Sequence, residues 1–172
     1  YNNVIYESDV PFVSTALRYG LIGGGIFIVS TLLSYLVLIP GGGMLMIFSL
    51  LVSFAIYIAI IVMVIKYHRD EELGGYITLG RCIGIGTLSI LIAMLVNSTF
   101  NYVYMNFIDP SVLDTISASM VEFYENIGIT DEDQLELIEE QMKESQSSLF
   151  GAIISPLFGG VFIGLIFSTI TG

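Results

Sequence analysis

The chain has 172 residues, of which 55% are hydrophobic and only 12% are charged, whereas about 25% of the residues of a soluble domain are charged. Uncharged stretches such as 21–40 match the roughly 20 apolar residues that a helix needs to cross the ~30 Å hydrocarbon layer, so the composition predicts an integral membrane protein. The net charge is −11, and because a surface of that sign repels phosphate backbones, nucleic-acid binding is not expected.

Three apolar segments in the first two thirds of the chain are predicted to be membrane helices. The first is expected over about 12–38 and the second over about 44–65. Proline and glycines at 40–43 favour a turn between them, so the two helices should form a tight hairpin. The charged run 66–72 is predicted to be a short loop, and the third helix is expected over about 77–107.

The chain contains a single histidine and a single cysteine. His68 lies in the predicted charged loop, so we expect it to be exposed and to take no part in catalysis or metal binding. Cys82 has no second cysteine to pair with, which excludes an intrachain disulfide and a cysteine-rich metal site. Its expected role is that of a small apolar packing residue.

The segment 110–147 is predicted to leave the hydrocarbon as an acidic helical hairpin, because eleven of the sixteen acidic residues lie between positions 109 and 144. Apolar residues recur at helical spacing in both of its halves. Thr130 and Asp133 resemble a capping box at the start of the second half, which should end near residue 145. The apolar residues of the two predicted faces are Leu113, Ile116, Met120, Phe123 and Ile127 in the first helix and Leu135, Ile138 and Met142 in the second.

These elements predict an all-α membrane protein with four transmembrane helices in two hairpins, the fourth helix spanning about 149–170. The acidic extracytoplasmic hairpin separates helices three and four. We expect one integrated domain, in which 1–109 holds the first three helices, 110–147 the acidic hairpin and 148–172 the last helix.

The basic residues predict the orientation, since cytoplasmic loops carry an excess of lysine and arginine. Arg18, Lys66, Arg69 and Arg81 all flank the same side of the predicted bundle. Both termini and the loop after helix two should therefore be cytoplasmic, with the acidic hairpin in the periplasm. These four residues are candidate topology anchors. Lys66, Arg69 and Arg81 could instead bind a lipid headgroup phosphate.

The second half of helix three is unusually polar for a membrane span. Asn97, Asn101 and Tyr104 fall at i, i+4 and i+7, so they share one helix face. Facing lipid, the unsatisfied amides would be costly. One interpretation is hydrogen bonding between helices, and the other is a polar ligand or permeation site.

Glycines and one proline are the remaining candidate positions. Glycines four residues apart let helix backbones approach closely, and a proline inside a helix removes a hydrogen bond and favours a kink. Pro156 is the candidate kink of helix four. The candidate helix-packing glycines are Gly20 and Gly24, Gly80 and Gly84, and Gly160 and Gly164.

Three segments resemble a known family: 67–77, 101–110, and 129–132 with 148–150. Together with the four apolar spans they are similar to the Bacteroidota membrane family catalogued as domain of unknown function 4199. The most specific part is Asn-Phe-Ile-Asp-Pro at 106–110. The resemblance implies the inner membrane of a Gram-negative bacterium, and it implies no catalytic residues.

The function expected from the sequence is that of a non-catalytic accessory or scaffold subunit of an inner-membrane assembly. No catalytic, cofactor-binding or metal-ligating residues are predicted, because no span carries an ionisable residue near its middle and no known catalytic spacing occurs. The alternative is a small oligomeric transporter, channel or lipid-handling protein. The expected partners are membrane lipids, other membrane subunits or further copies of the chain.

Overall fold

The computed structural model describes residues 10–39, 41–128 and 131–171, and the regular secondary structure in these residues is entirely helical. In the hydrocarbon layer only a helix satisfies all its backbone hydrogen bonds within one segment, which explains the long apolar helices. The helices are α1 Val13–Leu33, α2 Gly43–Tyr67, α3 Leu79–Val103, α4 Ser111–Asn126, α5 Glu132–Ser147 and α6 Leu149–Thr171. Short π-helical segments extend α1 over Ser34–Leu38, α2 over His68–Glu72 and α3 over Tyr104–Ile108.

Among the described residues, four helical stretches are long and apolar enough to cross a membrane, as predicted. They are Val13–Val37, Gly43–Glu72, Leu79–Ile108 and Leu149–Ile170. Each is longer than the roughly 18 apolar residues that a transmembrane helix needs. The chain is therefore a multi-pass membrane protein by the length and composition of its helices.

The charged run 66–72 was predicted as a loop, and this is wrong. The helix continues through Lys66 and the π-helical segment as far as Glu72. The chain leaves the helix at Leu73, followed by Gly74 and Gly75 with φ values of 71° and 105°, a backbone conformation that glycine adopts without steric cost. The charged side chains of 66–72 therefore lie on the last turns of a helix, where the helical spacing fixes their positions relative to one another.

The described residues divide into two compact units. The first contains 55–96 together with the described residues before 27 and after 156. Its core is a set of branched aliphatic side chains from α2 and α3, each at most 1% exposed. They are Ile60, Ile61, Val64, Ile85 and Ile90.

The second unit contains 27–54 and 97–156, and in it α4 packs on the turn between α1 and α2. The Ser119 hydroxyl donates to the carbonyl oxygen of Ile39 at 2.8 Å. The Glu122 carboxylate accepts the backbone N–H of Gly43 at 3.2 Å, which places a negative charge at the N-terminus of α2 where the helix dipole favours it. Gly42 has a φ of 97°, whereas Pro40 of the predicted turn lies outside the described residues.

The helices α4 and α5 contact each other through a surface ion pair. The ammonium of Lys143 lies 3.2 Å from a carboxylate oxygen of Asp114 on α4 and 2.7 Å from one of Glu139 on α5. Hydrogen bonding to Glu139 and then to Asp114 raises the pKa of Lys143 above its usual value. The two helices predicted for the acidic segment are present as α4 and α5. The N-cap residue of α5 differs from the predicted one.

The observed N-cap of α5 is Asp131, whose side chain accepts the N–H of Asp133 at 3.1 Å, while Thr130 lies outside the described residues. Leu135 of the predicted apolar face is buried, as expected. The face predicted for the first helix is wrong at Ile127, which follows the end of α4 and is 57% exposed. The buried residues of α4 are Val112, Ser117 and Ser119.

Candidate functional site

The polar face predicted on α3 lies against α1. The Thr31 hydroxyl donates to Oδ1 of Asn97 at 3.1 Å, and the Tyr35 hydroxyl donates to Oδ1 of Asn101 at 2.5 Å. Both asparagines are half-buried. Each amide oxygen therefore has a partner one helix away, and the two bonds follow each other up the α1–α3 contact.

Aromatic rings continue this contact beyond the asparagines. The ring of Tyr104 has its centroid 5.6 Å from that of Tyr35 on α1 and 5.6 Å from that of Phe100 on α3. Tilted ring pairs at this distance stabilise a contact beyond the area that they bury. All three residues of the predicted face thus lie at one site, where they join two helices.

Two of the three glycine pairs lie where helices come close together. A Cβ added at Gly20 would meet Cβ of Ile92 on α3 at 2.6 Å, and one added at Gly24 would meet Cβ of Val96 at 2.7 Å. Both distances are too short for a real side chain. Gly160 and Gly164 of α6 approach α3 in the same way, at Met94 and Thr87.

The third glycine pair contributes little to packing. A Cβ at Gly80 would have no neighbour within 4 Å, so the described residues show no close helix contact at this position. Gly84 has room, with the ring of Phe12 at 3.6 Å. The close approach lies instead at Gly86, whose added Cβ would collide with the Ser168 side chain. A four-residue glycine spacing does not identify which face of α3 meets a neighbour.

His68 contradicts the expectation of an exposed loop residue, because its side chain is 0% exposed. Nδ1 of its ring pairs with the Glu72 carboxylate one turn later. Its Nε2 accepts a hydrogen bond from Nε of Arg81 on α3 at 2.8 Å. The Thr15 hydroxyl of α1 lies 2.6 and 2.8 Å from the two carboxylate oxygens of Glu72. We call these four residues the His68 cluster.

The hydrogen bonds assign the proton of the imidazole. Arginine is always a donor, so Nε2 must be the acceptor and Nδ1 must carry the proton that Glu72 accepts. His68 is therefore a neutral ring in a single tautomer, assigned from the network of partners. The cluster joins α1, α2 and α3 by polar contacts within the first unit.

The four predicted basic anchors have different surroundings. The guanidinium of Arg18 lies 6.0 Å from the centre of the Tyr67 ring, a cation–π distance, and Arg69 pairs with Asp70 at 2.7 Å. Arg81 belongs to the His68 cluster and lies 5.4 Å from the centre of the Phe12 ring. Lys66 is exposed. The structure therefore does not gather the four into one phosphate-binding pocket among the described residues.

Other candidate chemistry is limited in the part of the chain that the structure describes. Within 10–39, 41–128 and 131–171, no three histidine, cysteine or acidic side chains are placed to hold a metal ion. Cys82 is fully buried. Pro156, the candidate kink, lies inside α6, and the helix continues through it. The second unit ends at this residue.

One feature of the sequence could have indicated part of the His68 cluster, although we did not use it in the prediction. His68 and Glu72 are four residues apart, a spacing that brings side chains together on a helix. It carries meaning only if the helix continues through 66–72. The contributions of Thr15 and Arg81 come from other helices and have no local signature.

Comparison with curated proteins and with solved structures finds no match in either set. A protein-family comparison does match, over residues 18–172. The match covers the first span from residue 18 onward, the other three spans, the acidic segment and the His68 cluster except Thr15. The family is described as having no known function, so it supplies no roles for these residues. On this match, the chain belongs to the family described as Protein of unknown function (DUF4199).

Proposed function

We propose that this protein is a non-catalytic accessory or scaffold subunit of an inner-membrane assembly. The observation that carries the proposal is the pair of hydrogen bonds from Thr31 to Asn97 and from Tyr35 to Asn101. These asparagines are the strongest candidates for lining a permeation path, and their side-chain oxygens are engaged in holding α1 to α3. Interhelical hydrogen bonds of this kind stabilise a bundle by about 0.6 kcal/mol each.

Two surfaces would bind partners in this role. The lipid-facing sides of the spans carry large exposed apolar side chains such as Leu36, Phe158 and Phe162, each at least 67% exposed, which suit lipid or the helices of other subunits or of a second copy. The acidic hairpin of α4 and α5 would offer a charged surface outside the membrane. Its charge favours a basic partner segment.

The proposed topology follows the basic residues. With Arg18, Lys66, Arg69 and Arg81 on the cytoplasmic side, both termini are cytoplasmic, the spans form two hairpins, and the α4–α5 hairpin lies in the periplasm. The inner membrane of a bacterium of the Bacteroidota is the proposed host membrane. Reagent labelling of a cysteine introduced at Ser145 in intact spheroplasts tests this orientation, and labelling only after lysis would reverse it.

The alternative is a small oligomeric transporter, channel or lipid-handling protein. The observation that favours it is the His68 cluster, because ionisable residues buried in membrane proteins often serve ion or proton movement. Pro156 inside α6 would supply a point of bending. The cluster lies at the ends of its spans and its four members are paired with one another, which favours the scaffold as the first proposal.

The test of the proposed function is purification from the native membrane in mild detergent, followed by mass spectrometry of the proteins that accompany it. A companion at fixed stoichiometry is the expected result. Recovery of the protein alone, or only with copies of itself, would contradict an accessory role and favour the transport alternative, which flux measurements in liposomes would then address.

A paired variant identifies the binding surface. Replacing the exposed Glu136 and Glu140 with glutamine removes charge from the hairpin. This should weaken the companion's binding most at low ionic strength, where the charges are least screened. Lys66→Gln, at an exposed residue of α2, is the control and should leave the yield of companion unchanged.

A further inference from the structure

The fully buried histidine is the group for which the scaffold role gives no reason. His68 is the only histidine of the chain, and it lies between a carboxylate and a guanidinium that come from different helices. A buried aliphatic side chain would hold the same helices together without polar desolvation. The arrangement therefore calls for an explanation that uses the chemistry of the imidazole.

The charged and titratable groups around His68 are few. Its own helix contributes Glu72 and, on neighbouring turns, the exposed Lys66 and the Arg69–Asp70 ion pair. The helix α3 contributes Arg81. From α1 the contact is the neutral hydroxyl of Thr15, which binds Glu72. Arg18 and Tyr19 of α1 and Tyr67 of α2 form a neighbouring group, in which the Tyr67 ring contacts both α1 residues. Glu71 follows on the same π-helical segment as His68, and α6 carries no titratable side chain between 149 and 171.

We propose that His68 is a proton-binding site that controls the contact between α2 and α3. In the neutral ring Nε2 accepts from Arg81. Protonation turns Nε2 into a donor, which then faces the Nε–H of an arginine that cannot lose its proton. Two donors and two positive charges cannot share that contact, so Arg81 must move away from the ring.

The same proton leaves the other half of the cluster intact. The Nδ1–H donates to Glu72 in both charge states, and a charged imidazole strengthens that bond. Glu72 also keeps its two contacts with Thr15 at 2.6 and 2.8 Å. Proton uptake therefore keeps the contact between α1 and α2 and breaks the hydrogen bond between α2 and α3. It concerns the chain alone and is independent of the proposed partner.

Histidine is the side chain whose charge ordinarily changes between about pH 5 and 8, so the proposal is testable under mild conditions. The first experiment is ¹⁵N NMR of the full chain, labelled only at histidine, in lipid nanodiscs. Because there is a single histidine, the spectrum reports one ring. The expected result is a neutral ring protonated at Nδ1 at pH 8, which becomes doubly protonated on acidification. An Nε2–H tautomer, or a ring that stays neutral to pH 4.5, would overturn the proposal.

The second experiment uses Cys82, which is adjacent to Arg81 in sequence, fully buried and the only cysteine. The rate of thiol labelling is divided by the rate in sodium dodecyl sulfate at the same pH, which removes the intrinsic pH dependence of the thiol. Loss of a charged hydrogen bond should raise this ratio roughly tenfold or more between pH 8 and pH 5.

Two variants distinguish protonation of His68 from a nonspecific destabilisation of the protein at low pH. His68→Gln retains one donor and one acceptor but cannot take up a proton, so its labelling ratio should be independent of pH. Arg18→Gln removes a guanidinium that lies over Tyr67 and should keep the wild-type response. An equal rise in the His68→Gln protein would contradict the proposal. If that variant fails to fold, the NMR titration of the wild-type protein still decides.

Discussion

The hydroxyl of Tyr35 donates to Oδ1 of Asn101 at 2.5 Å, across the contact between α1 and α3. The ring of the same tyrosine packs on Tyr104, with centroids 5.6 Å apart. One side chain thus satisfies a polar group and fills apolar space in the same helix contact. This combination is what makes an amide acceptable in a membrane span, since an unsatisfied amide in hydrocarbon is costly.

Removing the Tyr35 hydroxyl should destabilise the α1–α3 contact modestly. Tyr35→Phe keeps the ring contact with Tyr104 and deletes only the donor, so we expect a loss of about 0.6 kcal/mol, and at most about 1.7 kcal/mol. Reversible unfolding in mixed detergent micelles measures this change. A double-mutant cycle with Asn101→Leu should give a coupling free energy of the same size, and a coupling of zero would show that the bond contributes nothing.

Replacing Arg81 should weaken the His68 cluster even though the charge is kept. Arg81→Lys loses the Nε–H donor to His68 and the flat guanidinium over Phe12, because lysine has neither. We expect destabilisation of about 1.5–3 kcal/mol, the range for a hydrogen bond to a charged group, seen as a lower thermal midpoint in detergent. The matched control is Arg18→Lys, at an exposed residue, and an equal loss there would argue against a special role for the cluster.

The number of the long helices, and their bounds apart from the end of the second, could be predicted from sequence for a physical reason. An uncharged run such as 21–38 has to satisfy its backbone in lipid, and only a helix does so. The residues Asn97, Asn101 and Tyr104 could be placed on one face by helical spacing alone. The partners of that face, Thr31 and Tyr35, required knowledge of which helix lies opposite.

The His68 cluster could not be predicted for a related reason. The run 66–72 has the polarity of a loop. Its composition does not reveal that side chains from α1 and α3 contact this end of α2. The cluster depends on Thr15, which binds Glu72, and on Arg81, which binds His68. They lie 53 residues before His68 and 13 after it in the chain. A tertiary contact of that range leaves no periodic signal.

Adding one methyl group should distinguish the packed glycines from the free ones. Gly20→Ala places a Cβ 2.6 Å from Cβ of Ile92 and 2.9 Å from the carbonyl oxygen of Ser89, so we expect an overpacking cost of about 1–3 kcal/mol. Gly25→Ala, five residues later on the same helix, has no neighbour within 4 Å and should leave the thermal midpoint unchanged or higher. Equal midpoints for the two variants would be inconsistent with the observed α1–α3 contact.

The ion pairs of Lys143 should make the α4–α5 contact sensitive to alkaline pH. Hydrogen bonding to Glu139 and Asp114 raises the pKa of Lys143, so the folded state binds its proton more tightly than the unfolded state does. The stabilisation is therefore complete below the ordinary lysine pKa of about 10.4 and is lost as the pH rises through the higher folded value.

The corresponding measurement compares Lys143→Met with the wild-type protein. Their difference in thermal midpoint should be largest near pH 8 and at low salt, and it should shrink above pH 11. Lys66→Met, at another exposed lysine, controls for the general loss of a charge. A difference that stays constant with pH would contradict the role of the ion pairs.

The most direct test of the account is whether water reaches the polar face of α3 in a bilayer. In a Cys82→Ala background, single cysteines at Asn97 and Asn101 are exposed to a membrane-impermeant thiol reagent from each side of reconstituted vesicles. Cysteines at Tyr76, which is 84% exposed, and at the apolar, 47% exposed Leu95 serve as wet and lipid-facing controls. We expect labelling at Tyr76 alone, because α1 covers the asparagines. Labelling at Asn97 and Asn101 at the rate of Tyr76 would contradict it and would favour a permeation path along α3.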